Sequence, residues 1–254
     1  MLAAVVDGPH SGAVDGGSAD LHKRAEVTSR TPEFIAGEAS KPFGWDPAHF
    51  LEWATIQRML AAIALPHGAG VIDVGCGSGW TSLFLAESGY DVLGYDLVPA
   101  NIELARARAE RWRSPARFEV ADMERLPPGD AADAALLLDS LHHSGRQRTA
   151  LHSIAARLTP GGWLLIGEPT WLHRFSPAAR AAHHRHGWME RGLSLRTLTR
   201  DLRAAGFGEL RRFHQPTSPY EGRGVPFAWQ LMRLLAANVW VAPQAHIWLA
   251  AQRG

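Results

Sequence analysis

The sequence is poor in cysteine and in net charge. It has one cysteine, Cys76, among 254 residues, so no internal disulfide forms and we expect a reducing, cytoplasmic location. The net charge is +1, with 20% charged residues. Because a basic stripe is the usual footprint of phosphate contacts and none is present, we expect no nucleic-acid partner.

Long apolar runs are also missing. One strongly apolar segment, residues 225–241, is interrupted by Arg233 and Asn238 and is too short to cross a bilayer comfortably. We therefore expect no membrane span and interpret the segment as a buried helix, a pocket roof or a homodimer contact. Residues 1–30 lack an apolar core and contain acids such as Asp7, so we expect a disordered tail and no signal peptide.

The most informative feature present is a glycine-rich turn between a strand and a helix. Residues 71–74 predict a buried strand, and residues 80–88 predict a helix. Between them lie Gly75, Gly77 and Gly79, which let the backbone turn sharply and approach a ligand closely. Such a turn is typical of a site for an adenosine cofactor.

The glycine spacing favours one class of cofactor. A dinucleotide site has the spacing G-x-G-x-x-G, whereas this chain has G-x-G-x-G, with Ser82 where the third glycine would fall counting from Gly77. This spacing argues against an NAD-dependent oxidoreductase, which remains an alternative. A second strand over residues 91–95 delivers Asp96, whose carboxylate can accept both hydroxyls of a ribose.

Several landmarks in this order resemble the class I S-adenosylmethionine-dependent methyltransferases of small molecules. They are the glycine turn, Asp96, a third strand followed by Asp122, a fourth strand over 132–138, and turns into further strands at 160–162 and 204–207. The resemblance implies an α/β fold: a Rossmann-like, doubly wound, mostly parallel sheet of seven strands with helices on both faces. Its last strand is expected to run antiparallel, between the fifth and the sixth.

The resemblance also implies how S-adenosyl-L-methionine is held. Asp73 would lie beneath the methionine moiety, Asp96 would hold the ribose, and Asp122 with Met123 would border the adenine. The cofactor-binding residues implied are Asp73, Gly75, Cys76, Gly77, Gly79, Asp96, Leu97, Asp122, Met123, Leu138 and Asp139. We interpret Cys76 as a small apolar filler beside the cofactor, with a reactive thiol as the alternative.

Methyl transfer to a hydroxyl needs a base, and histidine suits that task because it titrates near neutrality. His142 and His143 follow the fourth strand at the active edge of the sheet. We predict His143 as the first candidate for the catalytic base and His142 as the second, followed by His173 and Glu168. In the alternative, one of the paired histidines packs beneath the sheet and the other caps the next helix.

The acceptor pocket is expected beyond the carboxyl ends of the strands. We predict substrate-side inserts near residues 168–195 and 216–243, with Phe43, Trp45 and Trp171 as candidate pocket walls. The chain would then divide into three parts. These are the tail at 1–30, an N-terminal helical cap at 31–65 and the cofactor-binding core at 66–254.

Clustered histidines also raise the question of a metal. His183 and His186 are three residues apart on a predicted helix, but no carboxylate stands at a spacing that defines a site. We interpret them as a polar helix surface and expect no metal.

The function expected from these features is methyl transfer from S-adenosyl-L-methionine to a small molecule, at oxygen, in the biosynthesis of a secondary metabolite. Alternatives are an N- or C-methyltransferase and a protein of this fold that uses the cofactor for cyclisation or elimination, or only binds it. A methyltransferase of nucleic-acid bases would be expected to carry an Asn-Pro-Pro-Tyr-like sequence after the fourth strand, where this chain has residues 139–142, Asp-Ser-Leu-His.

Overall fold

The computed structural model describes residues 16–28, 32–44, 48–215 and 246–254. Within these ranges the chain forms one sheet with helices around it. Trp45, predicted to line the acceptor pocket, and the insert predicted near residues 216–243 lie outside the described residues.

The sheet has seven strands in the order β3-β2-β1-β4-β5-β7-β6. The strands are β1 (Gly70–Val74), β2 (Asp91–Asp96), β3 (Arg117–Val120), β4 (Ala132–Leu138), β5 (Leu158–Pro169), β6 (Phe207–Phe213) and β7 (His246–Arg253). β1 to β5 pair in parallel, and β7 pairs antiparallel with both β5 and β6. The predicted fold class is confirmed, including the place of the antiparallel strand.

The central strands are largely apolar because both of their faces are covered. Ile72 and Val74 pack with Ile166 in the core on one face, and Val71 packs with Leu165 in the core on the other. Successive side chains of a strand point to opposite faces, so a strand buried on both sides reads as a continuous apolar run. The carboxyl ends of these strands meet at one edge of the sheet.

Eight α-helices lie within the described residues. They are α1 (Gly16–Thr28), α2 (Pro32–Ser40), α3 (Ala48–Ala62), α4 (Trp80–Glu87), α5 (Pro99–Trp112), α6 (Gln147–Ala156), α7 (Pro177–His186) and α8 (Leu195–Ala204). Local sequence explains where several begin. Pro99 opens α5, and α7 begins with Pro177 after Ser176, whose hydroxyl accepts a hydrogen bond from the backbone of Ala179.

Helix α1 differs from the disordered tail predicted for residues 1–30. Over residues 16–28 that prediction is wrong, and residues 1–15 lie outside the described part of the chain. Low apolar content favoured disorder. The helix is instead held by polar contacts, since Lys23 Nζ lies 2.6 Å from Asp122 Oδ2 across the fold.

Two other predictions, on the membrane span and on the division into cap and core, are covered only in part by the described residues. None of the described helices has the length and apolar character needed to cross a membrane. The apolar segment 225–241 lies outside the described ranges. The division into a cap at 31–65 and a core at 66–254 stays a prediction.

Strand β5 has a glycine where β7 approaches it most tightly. An added Cβ at Gly167 would lie 2.5 Å from Trp248 Cζ3 and 2.8 Å from Leu138 Cδ1. Trp248 is 1% exposed, so its ring has no room to move away. The missing side chain at Gly167 is therefore part of the core packing.

We expect Gly167→Ala to lower the free energy of unfolding by about 1–3 kcal/mol, the usual cost of overpacking a tight core. Urea unfolding followed by circular dichroism measures this change. Gly208→Ala in β6 is the matched control, because nothing lies within 4 Å of its added Cβ. An equal loss in both variants would contradict the packing explanation.

Candidate functional site

A cavity of about 940 Å³ lies at the carboxyl ends of β1, β2, β4 and β5. Its lining includes Gly75, Asp96, Asp139 and Pro169, which stand at or just after the ends of these four strands. Ligands of doubly wound sheets bind at this edge. The volume lies within the range of small-molecule and cofactor sites.

The glycine turn forms one wall of the cavity. Gly75, Gly77 and Gly79 have φ angles of 76°, 53° and 75°, a region that favours glycine. An added Cβ at Gly75 would lie 2.4 Å from Ser140 Cβ, and one at Gly79 would lie 2.8 Å from the Phe118 ring, whereas at Gly77 the nearest atom would be 3.4 Å away. Gly75 and Gly77 line the cavity, while Gly79 lets α4 pack closely and does not.

Asp96 joins this turn to the end of β2. Its Oδ2 accepts a hydrogen bond from the backbone N–H of Gly77 at 2.9 Å, and its Oδ1 accepts from Val98 N–H at 2.8 Å and Asn101 Nδ2 at 3.1 Å. Asn101 Oδ1 is buried and has no hydrogen-bond partner among the described residues. An adenosine cofactor fits this arrangement, because ribose hydroxyls can donate to Asn101 Oδ1 and to the carboxylate of Asp96.

Asp73 lies behind the turn and does not line the cavity. Its buried Oδ2 accepts hydrogen bonds from Thr81 Oγ1 and Ser82 Oγ, both at 2.6 Å. Burial raises the pKa of Asp73 to about 6, although the two hydroxyls oppose this shift. The carboxyl group thus ties β1 to the first turn of α4, and Ser82, the residue that breaks the dinucleotide spacing, is one of its two donors.

The remaining residues predicted to bind the cofactor are brought together at the cavity. Leu97, Asp122, Met123, Leu138 and Asp139 all line it, as does Cys76. Burial, with two nearby carboxylates, raises the pKa of the Cys76 thiol well above its usual value. A thiol that stays protonated is a poor nucleophile, which favours the predicted role as an apolar filler.

Glu168 lies behind the cavity wall, where it holds the loop that follows β4. It is fully buried, and its Oε1 accepts hydrogen bonds from the backbone N–H groups of Ser140 and Leu141 at 2.8 and 2.7 Å. Its Oε2 lies 2.7 Å from His142 Nδ1. Because these contacts occupy both oxygens and Glu168 does not line the cavity, the geometry favours a positioning role over the predicted role as a base.

His142 reaches the cavity but carries a proton. Burial disfavours its charged form, yet the carboxylates of Glu168 and Glu190 outweigh burial and raise the pKa of His142 to about 10. At neutral pH the ring is an imidazolium that has no lone pair to accept a proton. This charge state argues against the predicted role of His142 as a base.

The two other predicted histidines line the cavity, and each contacts a carboxylate. His143 Nδ1 lies 3.1 Å from Glu26 Oε1 on helix α1, and His173 Nε2 lies 2.8 Å from Glu190 Oε2. Although burial opposes ionisation of Glu190, its contacts with His142 and His173 hold its pKa well below the usual range. Glu190 therefore remains a carboxylate between two imidazoles.

A fourth histidine, His246 at the start of β7, pairs with Asp139. Its Nε2 lies 2.7 Å from Asp139 Oδ1. Burial opposes both charges, but the pair outweighs burial, raising the pKa of His246 to about 9 and lowering that of Asp139 to about 2. The wall of the cavity thus carries an ion pair at the end of β4.

Two groups of side chains at the cavity have atoms of the kind that bind metals. In each group, His142 with His143 and Glu190, and His246 with Glu52 and Asp139, the ligand atoms lie within 4.8 Å of one another. The imidazoles of His142 and His246 are already paired with carboxylates. We therefore interpret both groups as hydrogen-bonded ion pairs.

The other pair of clustered histidines lies at the end of α7. His183 Nδ1 donates a hydrogen bond to the carbonyl oxygen of Trp188 at 2.9 Å, and His186 stacks on the Trp188 ring with centroids 4.7 Å apart. These contacts support the predicted polar helix surface.

The structure does not bring two of the predicted pocket aromatics to the cavity. Phe43 packs against Phe84 and Trp112 with ring centroids 6.2 and 5.9 Å apart. Trp171 is 46% exposed and packs against Phe175. Phe43 precedes a predicted helix and Trp171 follows the predicted fifth strand, but neither position says which way the ring points.

The cavity-lining residues that sequence reasoning missed include Lys23, Glu26, Asn101, Glu190 and His246. Asn101 carries a usable signal, since it stands in the first turn of α5 five residues after Asp96. The others reach the cavity from segments distant in sequence, and no motif marks them.

Comparison with known proteins gives matches over this region. Residues 48–209 match the model of a family described as "Methyltransferase domain". An "S-adenosyl-L-methionine-dependent Diels-Alderase iccD" from Talaromyces variabilis is 33% identical over 44% of this chain and 40% of its own length. A "Ubiquinone biosynthesis O-methyltransferase" from Paramagnetospirillum magneticum is 33% identical over 57% of this chain and 56% of its own length. The chain thus spans about half the length of these curated relatives.

A solved structure supports the fold. An S-adenosylmethionine-dependent methyltransferase from Mesorhizobium loti superposes with a TM-score of 0.60 at 22% sequence identity, covering 80% of this chain and all of the other. At this identity the likeness concerns the architecture of the sheet and its helices.

The charge on His142 predicts how stability depends on pH. Its folded pKa of about 10 lies above the ordinary value of 6.5, so its contribution is full below pH 6.5 and is lost as pH rises towards 10. We expect the free energy of unfolding to fall by roughly 1 kcal/mol per pH unit for this group across that window. His246 adds a fall in the same direction up to about pH 9.

Chemical denaturation of the wild type and of His142→Gln at several pH values between 7 and 9 measures the slope. The variant should lose part of the slope, whatever its absolute stability. His152→Gln on α6 is the control, because His152 is exposed and should leave the slope unchanged. A His142→Gln slope equal to that of the wild type would refute the charged state.

Proposed function

The chain belongs to the methyltransferase domain family, and on that premise we propose that it transfers a methyl group from S-adenosyl-L-methionine to a hydroxyl oxygen of a small molecule. The cofactor follows from the family. The acceptor class, a role in natural-product biosynthesis and a cytoplasmic location are parts of the proposal, as is a homodimer contact.

Two sets of cavity residues are placed to hold the cofactor. Asp96 and Asn101 offer acceptors for ribose hydroxyls, and Gly77 leaves room for close approach to the backbone. Asp122 and Met123 line the side assigned to the adenine. When bound, S-adenosyl-L-methionine supplies a methyl group on a sulfonium, which is already a good leaving group, so the protein has to align the acceptor and exclude water.

We propose oxygen as the acceptor atom because the two adjacent histidines have different surroundings. His142 is held protonated by buried carboxylates, whereas His143 lines the cavity with its Nδ1 beside Glu26. With a proton on Nδ1, the lone pair lies on Nε2, which is the atom that would accept a hydroxyl proton. A dedicated base suits a hydroxyl acceptor, and the name of the bacterial O-methyltransferase relative supports the same choice.

We expect His143→Gln to lower kcat for methylation of a phenolic acceptor by about 100-fold or more, the range for loss of a general base. The assay follows transfer of tritium from methyl-labelled cofactor to a panel of small phenols and alcohols. Binding of S-adenosylhomocysteine by calorimetry should be unchanged, which controls for folding. Full turnover of an acceptor by His143→Gln would contradict the base and favour a nitrogen or carbon acceptor.

Asp96→Asn should weaken binding of S-adenosylhomocysteine by about 1–3 kcal/mol, because a charge-assisted hydrogen bond is lost. Calorimetry measures the change directly. Asp91→Asn, at the other end of β2, is the matched control, since Asp91 is exposed and pairs with Arg117 away from the cavity. Equal affinity of wild type and Asp96→Asn would show that the ribose lies elsewhere.

A second candidate function is a cyclisation assisted by the cofactor without methyl transfer. The name of the fungal relative, a Diels-Alderase that depends on the same cofactor, favours this alternative. The imidazolium of His142 at the cavity would suit it, because a charged donor can polarise a carbonyl of a bound polyene. One experiment distinguishes the two functions. Conversion of a substrate without incorporation of the tritium label supports cyclisation.

A further inference from the structure

Helix α1 is anchored to two parts of the fold by two neighbouring side chains near its middle, Lys23 and His22. Lys23 Nζ lies 2.6 Å from Asp122 Oδ2 and 2.6 Å from Glu124 Oε2. His22 Nδ1 donates a hydrogen bond to the carbonyl oxygen of Gly187 at the end of α7, at 2.9 Å. The helix therefore joins the side assigned to the adenine to the segment that carries the acceptor side.

One side chain of α1 points from this position to the proposed base. Glu26 is 9% exposed, and its Oε1 lies 3.1 Å from His143 Nδ1. The two atoms are in ion-pair contact without hydrogen-bond alignment, as is common for catalytic pairs in the absence of a ligand. The neighbouring charges are the His142 imidazolium, whose ring centroid is 4.0 Å from that of His143, and the Glu190 carboxylate.

We propose that Glu26 is the positioning residue for His143, so that helix α1 supplies a part of the active site. This inference rests on the proposed role of His143. A carboxylate beside Nδ1 fixes the proton there, aims the Nε2 lone pair away from α1, and stabilises the imidazolium that forms when His143 accepts a proton. It also offsets the repulsion that a second cation would meet beside His142.

The proposed methyl transfer balances in protons and electrons. The acceptor hydroxyl proton passes to Nε2 of His143, whose Nδ1 proton stays towards Glu26. The oxygen lone pair forms the new bond to the methyl carbon, and the electron pair of the broken carbon–sulfur bond remains on sulfur. Glu26 touches no reacting atom and acts through the orientation and tautomer of His143.

The first test needs no acceptor. Ring ¹⁵N chemical shifts, measured by two-bond proton–nitrogen spectra at mildly alkaline pH on the full chain, report the tautomer of His143, with His143→Gln assigning its signals. We expect the Nδ1–H form to dominate in the wild type and its ratio to the Nε2–H form to fall about threefold or more in Glu26→Met, which keeps the length and removes the acceptor. An unchanged ratio would overturn the proposal.

The second test uses turnover of an acceptor found in the label screen. Glu26→Met should lower kcat roughly tenfold to a hundredfold with little change in KM, because proton transfer is impaired and binding is not. Glu26→Asp should restore part of kcat, which a purely structural role would not explain. Arg24→Gln is the control: Arg24 lies on the exposed side of α1, so this variant should behave as the wild type.

The experiments distinguish an error in the role of His143 from an error in the role of Glu26. If His143→Gln keeps full turnover, the base itself is wrong, whatever Glu26 does to the tautomer. If His143→Gln is inactive while Glu26→Met keeps both the tautomer and kcat of the wild type, only the positioning role of Glu26 is wrong. Calorimetry with S-adenosylhomocysteine on each variant shows that the cofactor side is intact.

Discussion

The site depends first on the buried carboxylate of Glu168. It stands near the end of β5 and collects backbone N–H groups from the loop after β4, together with the ring of His142. A buried carboxylate costs much free energy unless such donors surround it. Since those donors all come from one loop, the demand of Glu168 for partners sets the path of that loop, and with it the positions of Asp139 and His143 at the cavity.

The same loop also contacts the glycine turn. The Ser140 hydroxyl donates a hydrogen bond to the carbonyl oxygen of Val74, and its Cβ fills the space that a side chain at Gly75 would occupy. The glycine turn and the loop after β4 are therefore packed against each other. A shift of the loop held by Glu168 would therefore also displace the glycine turn. One buried charge thus affects both the donor and the acceptor side.

The cofactor side was predictable because its contacts are short in sequence, whereas the order of the sheet followed from the resemblance to a known family. Asp96 reaches Gly77 over 19 residues and Asn101 over 5, within one strand–turn–helix–strand unit whose periodicity can be read directly. The acceptor side is built differently. His246 contacts Asp139, 107 residues away in the sequence, and no pattern of spacing predicts such a pair. Pointing directions of aromatic rings and the charge state of a buried histidine likewise depend on partners that only the fold brings together.

Helix α1 shows most clearly that contacts between distant segments escape prediction from the sequence. Its composition favoured disorder because it offers little apolar surface, yet Lys23 and Glu26 find partners in the segments that follow β3 and β4, which the composition cannot show. A helix held by a few ion pairs is more easily altered than a strand packed on both faces. The glycine turn and Asp96, held by contacts that are short in sequence, can thus stay the same while changes in α1 alter the setting of His143. In a fold of this kind the acceptor can be changed without touching the core that holds the methyl donor.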